Sequence, residues 1–248
     1  MNKTSLQPEH GQQPIYRRIL LKLSGEALQG SHSFGIDPDI LTSIVTEVGK
    51  VTALGVEVAL VIGGGNLIRG AESTTFDRVT ADQMGMMATI INGLALRDAF
   101  EKKSISARVM SALYVPGLVD CHDRNKAKRL LKKGQVVIFV GGTGNPLVTT
   151  DSAAALRGIE VAADIVIKAT KVDGIYAADP VKNPKAKFYN ALTYDEILEQ
   201  RLGVMDMNAI ILCRDNALPM RVFNMNTKDA LQQIILGQDV GTLVKSGG

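Results

Sequence analysis

Short apolar runs alternate along this chain with longer segments in which apolar residues recur at helical spacing. The runs are rich in β-branched residues, which predicts buried strands. Predicted strands cover Arg17–Leu23, Val56–Ile62, "ARVM", Gln135–Val140, Asp164–Thr170, "MRVFNM" and "GTLV". Strands that alternate with helices pair in parallel through right-handed crossovers. The chain is therefore predicted to form an α/β fold, a three-layer αβα sandwich around a mainly parallel central sheet.

The intervening segments carry signals for where helices begin and end. Asp37 is a predicted N-cap, Pro38 stands at the first helical position, and Gly55 follows the last one. A long helix is predicted to begin at Ala81 and to continue past Phe100. Other predicted helices are "DRNKAKRLLKKG", "DSAAALRGIEVA", Tyr194–Arg201, a segment after Asp206 and one ending at Gly237. Residues 71–80 are predicted to be a loop.

Four loops rich in Gly, Thr, Asn, Asp or Lys follow predicted strands. They are Leu23–Glu26, Gly63–Gly70, Gly141–Thr150 and Thr170–Asp179. In parallel α/β sheets, ligands bind beyond the carboxyl ends of the strands. The chemistry is therefore predicted at that edge of the sheet.

The second of these loops, within "VIGGGNLIRG", contains three consecutive glycines. Glycines after a strand let backbone N–H groups approach an anion closely. The pattern is neither the dinucleotide fingerprint nor a P-loop. A phosphate bound here would need positive charge from elsewhere in the chain.

Composition narrows the class of protein. The chain has 248 residues, a formal net charge of +3 and two cysteines far apart in sequence. Its basic and acidic residues are well mixed, which gives no support for nucleic-acid binding. Neither a signal peptide nor a membrane helix is evident. We therefore expect a soluble cytoplasmic protein with a flexible tail at residues 1–14 and a single domain at residues 15–248.

Each chemically suggestive residue also has an ordinary structural interpretation. Spacing alone favours Lys22 as a solvated strand lysine over a site residue. The segment Gly141–Gly158 suits an oxyanion, or is a turn with Asp151 as N-cap. Asp206 is likewise either a site residue or a helix cap. The three histidines form no cluster and receive no catalytic role.

Taken together, the motifs resemble the amino acid kinase family, and most closely its bacterial members that phosphorylate UMP. The resemblance runs from about Tyr16 to Val244. It rests on "LLKLSGEAL", "VIGGGN", "DQMGM", "GTGNP", "TTDSAA", "ATKVDG", "ADP", "VMD" and "LPMRVFNM". It implies that the γ-phosphoryl group of ATP is transferred to UMP, with Mg²⁺ as cofactor, in pyrimidine nucleotide synthesis.

The resemblance also assigns residues to each substrate. It implies an ATP side made of Lys22, Leu23, Ser24, Gly25, Gly65, Arg69, Thr170, Tyr176 and Asp179. It implies a UMP side made of Gly64, Asp82, Thr143, Gly144, Asn145, Pro146, Leu147, Val148, Thr149 and Thr150. Lys22 and Arg69 would supply the positive charge, and Asp151 and Asp206 are candidates to hold Lys22 or Mg²⁺.

The resemblance further implies a homohexamer with GTP activation and UTP inhibition. The segment "GSHSFG", which comprises Gly30, Ser31, His32, Ser33, Phe34 and Gly35, matches the one linked to GTP, although a plain flexible loop is the alternative. Leu147 and Val148 stand where an aromatic pair is more usual. The rival functions are a carboxylate or carbamate kinase of the same fold and an inactive nucleotide sensor.

Overall fold

The computed structural model describes residues 13–68 and 76–247, so most of the predicted tail lies outside the described residues. The described elements follow the predicted alternation of strands and helices. In chain order they are β1 (Arg18–Leu23), α1 (Pro38–Ala53), β2 (Glu57–Ile62), α2 (Arg78–Lys102), β3 (Ala107–Ser111), β4 (Asp120–Cys121), α3 (Arg124–Lys132), β5 (Val136–Val140), α4 (Thr150–Val161), β6 (Ile165–Thr170), β7 (Ile175–Tyr176), β8 (Phe188–Tyr189), β9 (Ala191–Thr193), α5 (Tyr194–Gln200), α6 (Met207–Asp215), β10 (Met220–Asn224), α7 (Ala230–Ile235) and β11 (Thr242–Lys245).

One large sheet organises the fold. Among the described residues it has nine strands in the order β4–β3–β5–β2–β1–β6–β10–β11–β9. Every neighbouring pair is parallel except β10 and β11. Strands β7 and β8 form a separate antiparallel pair. The predicted mainly parallel α/β sheet is confirmed.

Helices cover both faces of the sheet, each over its own apolar core. Helices α1, α2 and α7 pack on one face, and α3 to α6 pack on the other. Side chains alternate between faces along each strand. In β1, Leu21 and Leu23 enter the first core and Leu20 the second. Lys22, two residues after Leu20, is therefore directed to the face that carries α4.

Capping residues explain where the helices begin. The Asp37 side chain accepts hydrogen bonds from the backbone N–H groups of Asp39 and Ile40, as an N-cap does. Helix α2 begins three residues before the predicted Ala81, because Asp77 caps it. The predicted loop at residues 71–80 is therefore wrong for Arg78–Thr80, which are helical; residues 71–75 lie outside the described residues.

The alternative interpretation of Asp151 as an N-cap is wrong. Helix α4 is capped by Thr149, whose hydroxyl accepts hydrogen bonds from the backbone N–H groups of Asp151 and Ser152. Asp151 stands in the first turn instead, so its carboxylate is available for other contacts. None of the described helices has the length and apolar content needed to cross a bilayer.

Candidate active site

The predicted loops meet at one edge of the sheet. Strands β5, β2, β1 and β6 are adjacent and parallel, so the loops that follow them begin side by side. Strand β10 is parallel to β6 and adds residues 225–228 to the same edge. Arg69, one of the two predicted sources of positive charge, lies outside the described residues.

A buried charge cluster lies where β1 and β6 end. The Nζ atom of Lys22 is 2.5 Å from Oδ1 of Asp151. The Nζ atom of Lys168 donates a hydrogen bond of 2.8 Å to Oδ2 of the same carboxylate. Lys22 is only 6% exposed, so the interpretation of Lys22 as a solvated strand lysine is wrong. Buried charges are found paired, and this carboxylate is shared by two ammonium groups.

The surroundings of the cluster shift its pKa values in defined directions. Burial opposes the ionisation of Asp151, but the neighbouring Lys22 and Lys168 ammonium groups outweigh it and hold the pKa of Asp151 below its usual value. Burial lowers the pKa of Lys168, and the Asp151 carboxylate offsets only part of that shift. Asp151 is therefore ionised at neutral pH.

Asp206 joins the beginnings of two helices. It caps α6, since Oδ1 accepts a hydrogen bond of 3.0 Å from the N–H of Ala209. The Ser152 hydroxyl donates to the same Oδ1 at 2.8 Å. Oδ2 accepts hydrogen bonds from the Thr149 hydroxyl and from the Ser152 N–H. The helix-cap interpretation of Asp206 therefore holds, and the residue also fixes the first turn of α4, which carries Asp151.

These contacts bear on where Mg²⁺ could bind. The described residues contain no group of three or more Asp, Glu, His or Cys side chains placed to hold a metal ion. Both oxygens of Asp151 contact lysines, and both oxygens of Asp206 accept hydrogen bonds. Oδ1 of Asp151 has no hydrogen-bond partner, but it lies in ion-pair contact with Lys22, and Lys168 contacts the other oxygen. Two ammonium groups on one carboxylate, and hydrogen-bond donors on both oxygens of Asp206, do not fit a resident Mg²⁺ site.

The glycine loop packs closely against its neighbours. A Cβ atom at Gly25 would lie 2.4 Å from the backbone nitrogen of Gly65. A Cβ atom at Gly64 would lie 2.5 Å from the carbonyl oxygen of Gly85 in α2. Neither residue has a positive φ angle, so glycine is required here for close approach of the backbone.

Two buried asparagines hold this loop in place. Asn66 and Asn92 exchange side-chain hydrogen bonds of 3.0 and 2.7 Å. Asn92 also donates to the carbonyl oxygen of Gly63 at 2.7 Å, and Asn66 donates to that of Gly35 at 2.9 Å. The amide pair thereby connects the glycine loop to α2 and to the end of the segment "GSHSFG".

A cleft of about 210 Å³ opens beside α2 and contains several residues of the predicted UMP side. Asp82 lies here and accepts hydrogen bonds from Arg78 and from the backbone N–H of Leu147. The buried Thr89 hydroxyl accepts a hydrogen bond of 2.6 Å from the N–H of Gly141. The residues of the predicted UMP side that line this cleft are Gly64, Asp82, Val148, Thr149 and Thr150. Gly65 lines it as well, although the resemblance assigns that glycine to the ATP side.

Thr143 does not line that cleft. It lies at a separate depression of about 420 Å³, together with Ser111, His122 and Arg157. Leu147 has a φ angle of +66°, which is unusual for a residue with a side chain, and is 62% exposed. The structure therefore divides the predicted UMP residues between two sides of the loop 141–149.

Several residues of the predicted ATP side lie beyond β6, which neighbours β1 on the side away from β2 and β5. A cleft of about 510 Å³ is lined by Lys168, Thr170, Tyr176 and Asp179. Ser24 lines an adjoining cleft of about 710 Å³, together with Gly30 and Ser31 of the segment "GSHSFG". The Leu23 side chain is fully buried in the core, so only its backbone can face a ligand.

Sequence reasoning missed Lys168, Asn92, Thr89 and Arg78. A signal for Lys168 was present, because Lys22 and Lys168 stand near the ends of two similar apolar runs, "LLKL" and "VIKA". The polar residues of α2 carried no such signal. Their partners belong to loops distant in sequence.

Comparison with known proteins places the chain in a characterised group. Residues 17–224 match the model of the amino acid kinase family. Uridylate kinase from Alcanivorax borkumensis is 60% identical over 235 residues, which cover 94% of this chain and 93% of that protein. Uridylate kinase from Pseudomonas putida is 59% identical, with 96% and 97% coverage.

Solved structures give the same result. The crystal structure of UMP kinase from Bacillus anthracis superposes with a TM-score of 0.91 at 40% sequence identity, covering 94% of this chain and 97% of that one. UMP kinase from Ureaplasma parvum superposes with a TM-score of 0.87 at 39% identity, with 93% and 99% coverage.

Proposed function

The chain belongs to the amino acid kinase family, and we propose that it transfers the γ-phosphoryl group of ATP to UMP, giving UDP and ADP. The observation that carries the proposal is the Lys22–Asp151 ion pair at the carboxyl edge of the sheet. The identity of about 60% to uridylate kinases over nearly the full length supports the same function. UDP would then feed the synthesis of UTP and CTP.

Bringing two polyanions together is the main task of this reaction. Phosphoryl transfer depends on positioning and on neutralising charge as the reaction proceeds. Lys22, held by Asp151 at the end of β1, is the cation that we assign to the transferred group, with Arg69 as a second one. The acceptor phosphate of UMP is already ionised at neutral pH, so no general base is required.

The two substrates are assigned to opposite sides of Lys22. The cleft that contains Asp82 is proposed for UMP, because a carboxylate can accept hydrogen bonds from ribose hydroxyls. The cleft that contains Tyr176 and Asp179 is proposed for ATP. Mg²⁺ is proposed as a cofactor that arrives with ATP and takes its ligands from the phosphates, as Mg²⁺ often does.

Assembly, regulation and location belong to the same proposal. We propose a cytoplasmic homohexamer that GTP activates and UTP inhibits. Gly30 and Ser31 line the cleft that Ser24 shares, which supports a nucleotide-responsive role for the segment "GSHSFG". A titration of initial rates with GTP and with UTP tests this part separately.

The rival functions differ in their acceptor. In a kinase for a carboxylate or carbamate, Asp82 would lie near an acidic substrate. Repulsion between the two negative charges disfavours this arrangement. An inactive sensor would not require the Lys22–Asp151 ion pair, and both residues are present in this chain.

One assay separates these functions. ADP production from ATP is measured with UMP, CMP, dUMP, aspartate or acetylglutamate as the acceptor. We expect a clear preference for UMP. Turnover with an amino acid acceptor, or none with any acceptor, would contradict the proposal.

A further inference from the structure

Lys22 and Lys168 occupy matched positions on neighbouring strands. They are register partners in the parallel pair of β1 and β6, so their side chains leave the sheet next to each other on the same face. Two ammonium groups so placed repel each other unless an anion lies between them. Asp151 supplies that anion, with one oxygen directed to each lysine.

Lys168 makes a second contact that Lys22 lacks. Its Nζ atom also donates a hydrogen bond of 2.5 Å to the carbonyl oxygen of Val204, and 15% of its side chain is exposed. Val204 precedes Asp206, which fixes the first turn of α4 through Ser152. Lys168 therefore links β6, the first turn of α4 and the loop before α6.

We propose that Lys168 is a positioning residue for phosphoryl transfer, acting through Asp151 on Lys22. This inference rests on the proposed function. Lys168 occupies Oδ2 of Asp151, so Lys22 meets only Oδ1. An ammonium group has three N–H donors, and this arrangement leaves two of them for phosphoryl oxygens. Without Lys168, both carboxylate oxygens become available to Lys22 and compete with the phosphoryl group for it.

The net charge of the Lys22, Lys168 and Asp151 cluster gives a second reason to expect slower turnover without Lys168. Two lysines and one carboxylate give the cluster a net charge of +1. Removal of Lys168 would lower this to zero, at the place where negative charge must be stabilised in the transition state. Turnover should therefore depend on Lys168 more than substrate binding does.

The test compares three variants with the unmodified enzyme. In Lys168→Met, kcat with ATP and UMP should fall about 10-fold or more, while the KM values stay within about 3-fold. Lys168→Arg keeps the charge and should recover part of the rate. Lys132→Met, which changes an exposed lysine of α3, is the matched control and should leave kcat unchanged.

A double-mutant cycle tests whether Lys168 acts through Lys22. In a Lys22→Ala background, adding Lys168→Met should lower kcat by less than about 2-fold, because the lysine that it positions is already absent. Additive losses would overturn the proposal. So would an unchanged kcat in the single variant with only a lower melting temperature, or a large rise in the KM for ATP at normal kcat.

A misfolded variant and an inactive unmodified protein are distinguished from a failure of the inference about Lys168. If Lys168→Met does not fold, Lys168→Gln replaces it, since glutamine removes the charge and still carries N–H donors. If the unmodified protein does not phosphorylate UMP, the proposed function fails. The inference about Lys168 fails separately, when the unmodified enzyme is active and any of the overturning results given above is found for the Lys168 variants.

Discussion

The Asp82 carboxylate accepts a hydrogen bond of 2.9 Å from the backbone N–H of Leu147. This contact joins the second turn of α2 to the loop 141–149, and Arg78 supports it from the same helix. Asp82 does not cap α2, because that role belongs to Asp77. Its position instead suits a residue that shapes the cleft proposed for UMP.

Asp82→Asn should narrow the preference for UMP over dUMP by about 10-fold. Hydrogen bonds to charged groups contribute about 1.5–3 kcal/mol, and dUMP lacks one of the hydroxyls that would donate to Asp82. The measurement is the ratio of kcat/KM for the two acceptors. Asp77→Ala is the control, because it removes the side-chain cap of α2 and should lower the melting temperature while leaving the ratio unchanged. An unchanged ratio in Asp82→Asn would remove Asp82 from the substrate site.

Lys22→Ala should lower kcat by about 100-fold or more, because it removes the cation that is proposed to act on the transferring group. Circular dichroism should show that the variant is folded, and Lys132→Ala should keep the normal rate. Near-normal turnover in folded Lys22→Ala would contradict the assignment.

Helix α2 should form a contact between subunits. Met87 and Ile91, one turn apart on its surface, are 48% and 53% exposed. Light scattering at micromolar concentration should show an oligomer, and Met87→Glu combined with Ile91→Glu should lower its mass. Val181→Glu, which alters a residue 80% exposed elsewhere, is the control. A monomeric unmodified protein would refute the prediction.

His122 should make the protein less stable as the pH falls below about 6.5. Burial first, and then the Arg157 guanidinium, lower the pKa of His122, and Glu160 and Asp123 only partly offset this. Between the lowered pKa and the usual one, the unfolded chain binds a proton that the folded protein does not, so stability is lost with falling pH.

The measurement is the change in melting temperature between pH 7.5 and pH 5.5. His122→Gln should reduce that change. His32→Gln, which alters a histidine with an exposed side chain, should not. An equal change in all three proteins would contradict the role of His122.

Local signals were sufficient to predict much of the fold. Asp37, Pro38 and Gly55 mark α1 because capping depends on neighbouring residues, and the apolar runs mark the central strands because burial sets their composition. The short strands β4, β7, β8 and β9 are two or three residues long, and no periodicity can be detected over that length.

The candidate site was predicted less completely, because its contacts cross the chain. Lys22, Asp151 and Asp206 were identified through motifs. The capping role went to Thr149 instead of Asp151, since either residue suits an N-cap and tertiary contacts decide between them. Asn92 was missed because a buried asparagine in a helix is recognisable only once its partner, Asn66, is known.

The close packing of Gly25, Gly64 and α2 has a consequence for how this enzyme could evolve. A side chain at either glycine would collide with backbone atoms that cannot move aside. These positions therefore tolerate almost no variation, whatever the substrate. Leu147, which is exposed, and Val148, which lines the cleft proposed for UMP, have room for other side chains. A library designed to change acceptor preference should diversify these two residues and leave the glycines unchanged.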